Sequence, residues 1–276
     1  MEIICVGKEL LIGKTLNTNA TWLAKSITSL GLKVRRMTVI DDDLDEIAET
    51  LREALRRKPR FIITTGGLGP TFDDKTLEGI AKGLNRSLEV NKKALKMVKE
   101  KYKVYLKQKR IQKVELTPAR LKMARFPKGA EPLPNPVGTA PGMMAKIKET
   151  LIIALPGVPP EMEAIFNHSV AEIIRKQAGK STFYEASTYA EGIMESTLAP
   201  LIESVMNENP SVYLKSHVYV KSKVQIEGQK SCIELHFSTT ANDVETAKKH
   251  LHRAIKRMTE LVQSSGGKIV RAPGEK

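Results

Sequence analysis

The chain has only two cysteines, Cys5 and Cys232, far apart and each inside an apolar or strand-like stretch. That excludes a disulfide framework and a cysteine metal cluster, and both read as buried thiols. No stretch of 18 or more uncharged apolar residues occurs, so no membrane-spanning helix is expected. The opening Met1-Glu2-Ile3-Ile4-Cys5 lacks the basic lead and cleavage pattern of a signal peptide, so a soluble, cytoplasmic protein is expected. No Ser or Cys sits in a Gly-x-Ser-x-Gly elbow, which leaves covalent catalysis without a candidate. The histidines form no site: His250 and His252 fall on different faces of one helix, and His168, His217 and His236 are isolated.

Negative charge is also scarce, with 31 acids against 45 Lys and Arg and a formal charge of +14. The excess is local. Residues 92–128 hold 14 Lys and Arg against Glu100 and Glu115 alone. With Tyr102 and Tyr105 such an arm could bind nucleic acid, but a solvated face or an electrostatic funnel for an anionic metabolite needs no base readout and is preferred.

A length of 276 residues with 41% hydrophobic content suits two domains. Through residue 85, short β-rich runs alternate with amphipathic helical stretches: strands at 3–6, 33–39 and 61–65, helices at 19–30, 44–57 and 76–84. That alternation is the pattern of βαβ units in a doubly wound, mostly parallel sheet. A long basic helix is expected over 92–113, loop with short extended pieces over 127–142, a buried strand at 151–155 and a helix from Glu161 to about Gln177. After Gly179 the order becomes βαββαβ, a ferredoxin-like α+β domain with a polar hairpin loop at 221–230 and a capping box from Asn242 to Glu245. The domains expected are 1–178 and 179–276.

The run Thr64-Thr65-Gly66-Gly67-Leu68-Gly69-Pro70 leaves the third strand and leads to a helix. Gly66, Gly67 and Gly69 let backbone N–H groups approach an anion, which points to a phosphate-bearing, nucleotide-like ligand. The spacing is neither a dinucleotide fingerprint nor a Walker loop with its lysine. Asp73 and Asp74 are expected in the first turn of the next helix, where they either balance the helix dipole or hold a divalent cation beside the phosphate. Asp41, Asp42 and Asp43 end the second strand at the same sheet edge and suit a helix cap as well as a ligand contact. Glu9, Asn17 and Asn19 follow the first strand, where the asparagines either read a nucleoside or form turns and a cap. Asn135-Pro136-Val137-Gly138-Thr139-Ala140-Pro141-Gly142 reads as a rigid polar loop, and Leu155-Pro156-Gly157-Val158-Pro159-Pro160-Glu161-Met162 repeats the strand, loop and helix device.

Together with Gly7-Lys8-Glu9-Leu10-Leu11, Asn17-Thr18-Asn19 and the continuation Thr71-Phe72-Asp73-Asp74, these motifs resemble, in order over residues 1–170, the N-terminal domain of the CinA (competence-damage-inducible) family. That family shares the molybdopterin-binding fold. The resemblance implies a three-layer α/β/α domain, often a homo-oligomer, acting as a pyrophosphatase on ADP-ribose or related dinucleotides such as FAD. It implies a divalent metal (Mg, Mn or Co), possibly with K⁺. Related molybdopterin proteins use the same loop for adenylyl transfer or metal insertion, so a non-catalytic pterin- or nucleotide-binding role is the alternative. On this reading Asp73, Asp74 and Lys122 are catalytic, and Asp73, Asp74 and Glu161 hold the metal. Glu9, Asn17, Asn19, Asp42, Thr65, Gly66, Gly67, Gly69, Asn135, Gly138, Thr139 and Gly157 bind substrate. Lys8 stands where the family usually has an acid or amide, and the C-terminal region does not resemble the deamidase domain fused to many members.

Overall fold

The computed structural model describes residues 1–179, 181–219 and 232–270. The hairpin loop expected at 221–230 lies outside the described residues. Through residue 178 the elements run β1 (Glu2–Val6), α1 (Lys8–Leu11), α2 (Thr18–Ser29), β2 (Arg36–Ile40), α3 (Leu44–Arg56), β3 (Phe61–Thr65) and α4 (Thr76–Gly83). They continue with β4 (Leu88–Val90), α5 (Lys92–Lys107), α6 (Pro118–Lys122), β5 (Arg125–Pro127), β6 (Glu131–Leu133), β7 (Gly142–Ile147), β8 (Thr150–Leu155), α7 (Pro159–Ile165), a π-helical turn (Phe166–Val170) and α8 (Ala171–Ala178).

Six strands form one sheet in the order β2-β1-β3-β8-β7-β6, and a separate ribbon pairs β4 with β5. The β2, β1, β3 and β8 strands are mutually parallel, β7 pairs antiparallel with β8, and β6 pairs antiparallel with β7 at the edge. Every residue of β1, β3 and β8 is buried, the mark of parallel strands covered by helices on both faces. One face packs Ile4, Val6 and Ile62 against Ile47 and Leu51 of α3 and Ile80 of α4. An edge-to-face contact between Trp22 and Phe166, 5.2 Å between centroids, joins α2 to the π-helical turn. The result is a three-layer α/β/α domain with a mostly parallel sheet.

Strand order reverses direction between β1 and β3, because β2 lies on one side of β1 while β3 and β8 lie on the other. The four parallel strands end in register, Val6 beside Ile40, Cys5 beside Thr65 and Thr65 beside Leu155. Their connecting loops therefore emerge at one edge, around the switch point where open α/β sheets bind ligands.

The chain divides into two compact units, residues 1–28 with 32–177, and 29–31 with 178–276. In the second unit β9 (Thr182–Glu191), α9 (Glu195–Glu208), β10 (Val212–Tyr219), β11 (Cys232–Ala241), α10 (Val244–Ser264) and β12 (Lys268–Val270) give βαββαβ. The sheet order is β10-β11-β9-β12, with antiparallel pairing throughout. Phe237, Leu235 and Ile233 pack on Leu198, Leu251 and Met258, so both helices lie on one face. This is the ferredoxin-like α+β arrangement.

Several local expectations need correction. The basic helix stops at Lys107 rather than 113, because Lys109 takes a left-handed φ of 56° and ends the turn. The loop expected over 127–142 holds the short β6, as its extended pieces allow, but the strand β7 that follows, paired with β8 over Met143–Ile147, has no counterpart in the expected elements. The last helix is capped by Asp243 rather than Asn242, through the N–H of Thr246 at 2.8 Å.

Candidate functional site

The cleft at the sheet edge has a volume of about 370 Å³ and is walled by the loops after β1, β2, β3 and β8, closed by residues 139–140. The glycine loop is its floor. Gly66 has a φ of 110°, and a Cβ there would run into the Val6 carbonyl, so only glycine lets the β3 loop close on the β1 end. Gly67, with a φ of 65°, lies against Thr76. The loop is stapled by three bonds: the Gly66 N–H donates to the Leu155 carbonyl (3.0 Å), the Thr76 N–H to that of Gly67 (3.1 Å), and the Thr76 hydroxyl to that of Gly66 (2.8 Å). Among the described residues, the N–H groups of Gly67, Leu68 and Gly69 have no protein acceptor. Donors left unmet on a held turn are available to an anion.

Asp73 and Asp74 lie before α4, not in its first turn as expected; that position belongs to Glu78, and α4 begins at Thr76. They stand immediately ahead of the N-cap Lys75, close to the positive end of α4. Both carboxylates turn onto Thr71, whose N–H donates to Asp74 Oδ2 (2.8 Å) and whose hydroxyl sits against Asp74 (2.6 Å) and Asp73. The Thr71 hydroxyl holds the Asp73 carboxyl below its ordinary range. Across the cleft the Lys8 N–H donates to Asp42 Oδ2 at 2.9 Å. The residue at position 8 thus makes its contact through backbone, and its departure from the family pattern leaves that bond intact. Burial pushes Asp42 up, the Lys8 N–H opposes this, and the charges of Glu9, Asp41 and Asp73 add to the rise. Asp43 is the N-cap of α3, accepting from the N–H groups of Asp45 (2.9 Å) and Glu46 (3.0 Å).

Of the remaining candidates, Glu9, Thr139, Gly157 and Glu161 line the same cleft. Asn135 and Gly138 stand behind Glu161. The Asn135 amide donates to Glu161 Oε2 (2.7 Å), and a Cβ at Gly138 would overlap the Glu161 carboxylate. Asn19 gives its amide hydrogens to Thr65 Oγ1 (3.0 Å) and the Gly157 carbonyl (2.8 Å), and Thr65 donates to the Pro156 carbonyl (2.9 Å). Both amide hydrogens of Asn19 thus tie the loops together, while its buried oxygen has no hydrogen-bond partner among the described residues. Asn17 lies outside the cleft lining and caps α2 through the Ala20 N–H (3.1 Å). Lys122 donates to the Thr71 carbonyl from the far side of the loop.

That far side is a second cleft of about 720 Å³, which the sequence reading missed. It shares Gly67 to Pro70 and Asp74 with the first and adds Phe72, Val90, Pro118, Lys122 and Arg125. Phe72, an aromatic inside a run of Gly, Pro, Thr and Asp, was the signal available for it. On the basic arm, Arg120 covers the Tyr102 ring (3.9 Å) and Arg110 the Tyr105 ring (4.6 Å), so those faces are engaged within the arm. Among the described residues no helix is long and apolar enough to cross a membrane.

A mostly parallel sheet with a glycine turn at its switch point and carboxylates around it has the make-up of an α/β/α small-molecule-binding domain. Residues 2–176 match the family described as probable molybdopterin binding domain, and the chain belongs to that family. The chain is 44% identical to the solved CinA protein from Thermoplasma acidophilum, itself described as of unknown function, with a TM-score of 0.57 over 62% of this chain and 96% of that one. Relatives extend over both units. A protein of Sulfurisphaera tokodaii is 40% identical across 98% of each chain, and one of Caldivirga maquilingensis is 43% identical across 95% of this chain and 96% of its own.

Proposed function

We propose that the first unit hydrolyses the phosphoanhydride of a dinucleotide such as ADP-ribose or FAD, with a divalent cation as cofactor. The observation that carries this reading is the pairing of three unmet backbone donors, at Gly67, Leu68 and Gly69, with the Asp73 and Asp74 carboxylates on the same loop. Donors alone suit any phosphate. Carboxylates facing the phosphate would repel it unless a cation lies between them.

The donor set fits a hard cation, since Asp73, Asp74 and Glu161 offer oxygens only. Among the described residues no three His, Cys, Asp or Glu side chains converge on one metal position, so phosphate and water oxygens would complete the shell, as is usual for Mg²⁺. Asp73 and Asp74 would hold the ion, with Glu161 facing them across the cleft. Bound there, it would neutralise charge on the diphosphate and make phosphorus more electrophilic. The chain's own part is to fix the diphosphate on the N–H groups of residues 67–69 and to keep Asp73 ionised through Thr71. Asp42, raised by burial, accepts a proton from attacking water as one P–O bond forms and the bridging P–O bond breaks, giving two phosphate monoesters. Lys122 supports the loop and partly balances Asp73.

The test is incubation with ADP-ribose and FAD in Mg²⁺, Mn²⁺ or Co²⁺, with and without K⁺, following AMP. AMP release supports the reading, and its absence in every condition refutes it. The family's molybdopterin-binding description favours one alternative, retention of a pterin or nucleotide without turnover. Tight binding without products would select it.

A further inference from the structure

The glycine loop has two working sides. Toward β1 and β8 it faces carboxylates; toward β4, β5 and α6 it faces a cleft nearly twice as large, whose lining is mostly apolar. Phe72 stands at that lip 87% exposed, the most exposed large hydrophobic side chain among the described residues. Nothing in its own unit covers it, and Val90 on the opposite wall is also exposed at 43%. Lys122 and Arg125 border the same space, with Asp74 and Glu78 as the acids on its lining. An apolar slot with a few charged groups, walled by the loop that offers the phosphate donors, has the make-up of a ring pocket beside a phosphate pocket.

We propose that this cleft seats the planar heteroaromatic ring of the phosphate-bearing ligand, with Phe72 as its stacking platform. This rests on the reading of residues 67–69 as the phosphate cradle. The ring would lie on one side of the loop and the phosphates against its N–H groups, so the ligand class is a nucleotide or flavin phosphate and not a bare sugar phosphate. Aromatic stacking tolerates any flat π-system, so purine and isoalloxazine rings both qualify, while Lys122 and Arg125 favour electron-rich edges and phosphate oxygens.

Calorimetric titration of the full chain with AMP, FMN and ribose 5-phosphate, each in Mg²⁺, tests the proposal. AMP and FMN are expected to bind, and Phe72→Ala to weaken both by about tenfold while leaving ribose 5-phosphate unchanged. Phe72 is exposed, so the variant should melt at the wild-type temperature. Ala119→Trp, on the rim of the cleft, should block AMP and FMN in the same way. Unchanged affinity for AMP and FMN in both variants, or equal losses for ribose 5-phosphate, or no binding of either ring compound at millimolar concentration, would overturn it. The two readings fail separately. Hydrolysis of ADP-ribose unaffected by Phe72→Ala would remove the ring pocket and keep the hydrolase, whereas Phe72-dependent AMP binding without turnover would do the reverse.

Discussion

The Asn135 amide donates to Glu161 Oε2 at 2.7 Å, so a residue of the loop before β7 holds the carboxylate that opens α7. The same amide donates to the Ala140 carbonyl (2.8 Å), and its oxygen accepts from the N–H groups of Val137 (3.1 Å) and Gly138 (2.7 Å). Replacing this buried side chain orphans four partners at once. Asn135→Ala should cost about 2–4 kcal/mol, more than one ordinary hydrogen bond, read as a lowered midpoint in urea at unchanged m-value. A loss below about 0.5 kcal/mol would show that the loop holds itself.

Gly66→Ala tests the cradle's backbone. Its φ of 110° and the Val6 carbonyl in the path of a Cβ make alanine incompatible with the present turn. The variant should lose more than about 1 kcal/mol of stability and bind AMP at least tenfold more weakly, because the turn that carries the three donors must move. Wild-type affinity for AMP in a folded Gly66→Ala protein would place the anion elsewhere.

Asp42 supplies a pH signature. Its folded-state pKa is raised, chiefly by burial, so between its ordinary value and the raised one the native state holds a proton that the unfolded chain has released. Its contribution to stability is therefore largest below the ordinary carboxylate range and declines as pH rises through the raised value. Asp42→Asn cannot ionise. In EDTA, the melting temperature of the variant relative to wild type should climb as pH goes from about 3 to about 7. A constant difference would remove the assigned shift, and with it the proton-accepting role.

Legibility in the sequence followed the reach of each physical signal. The β1 and β3 strands were readable because continuous apolar runs have no other use in a chain of this charge, and the glycine loop because Gly66 and Gly67 require left-handed backbone. β7 was hidden. Met143 and Ala145 point inward against the core, but the strand follows a stretch rich in Pro and Gly, and its place is decided by pairing with β8. Around the site, residue type showed which loops matter but not which side chain faces the cleft. Asn17 and Asn19 look alike in the sequence, yet one caps α2 and the other ties Thr65 to Gly157. Asp73 and Asp74 lie ahead of α4 because Lys75, not either aspartate, occupies the N-cap position, a tertiary choice that spacing does not encode. The second cleft was out of reach because α6 and the β4–β5 ribbon that help wall it have little pattern of their own.

The most direct measurement follows AMP and ribose 5-phosphate together as ADP-ribose is incubated with the full chain in Mn²⁺, with Asp73→Asn run beside it. The account predicts equal amounts of the two products and a rate about 100-fold lower in the variant. Failure to form AMP, or equal rates in the two proteins, would contradict it.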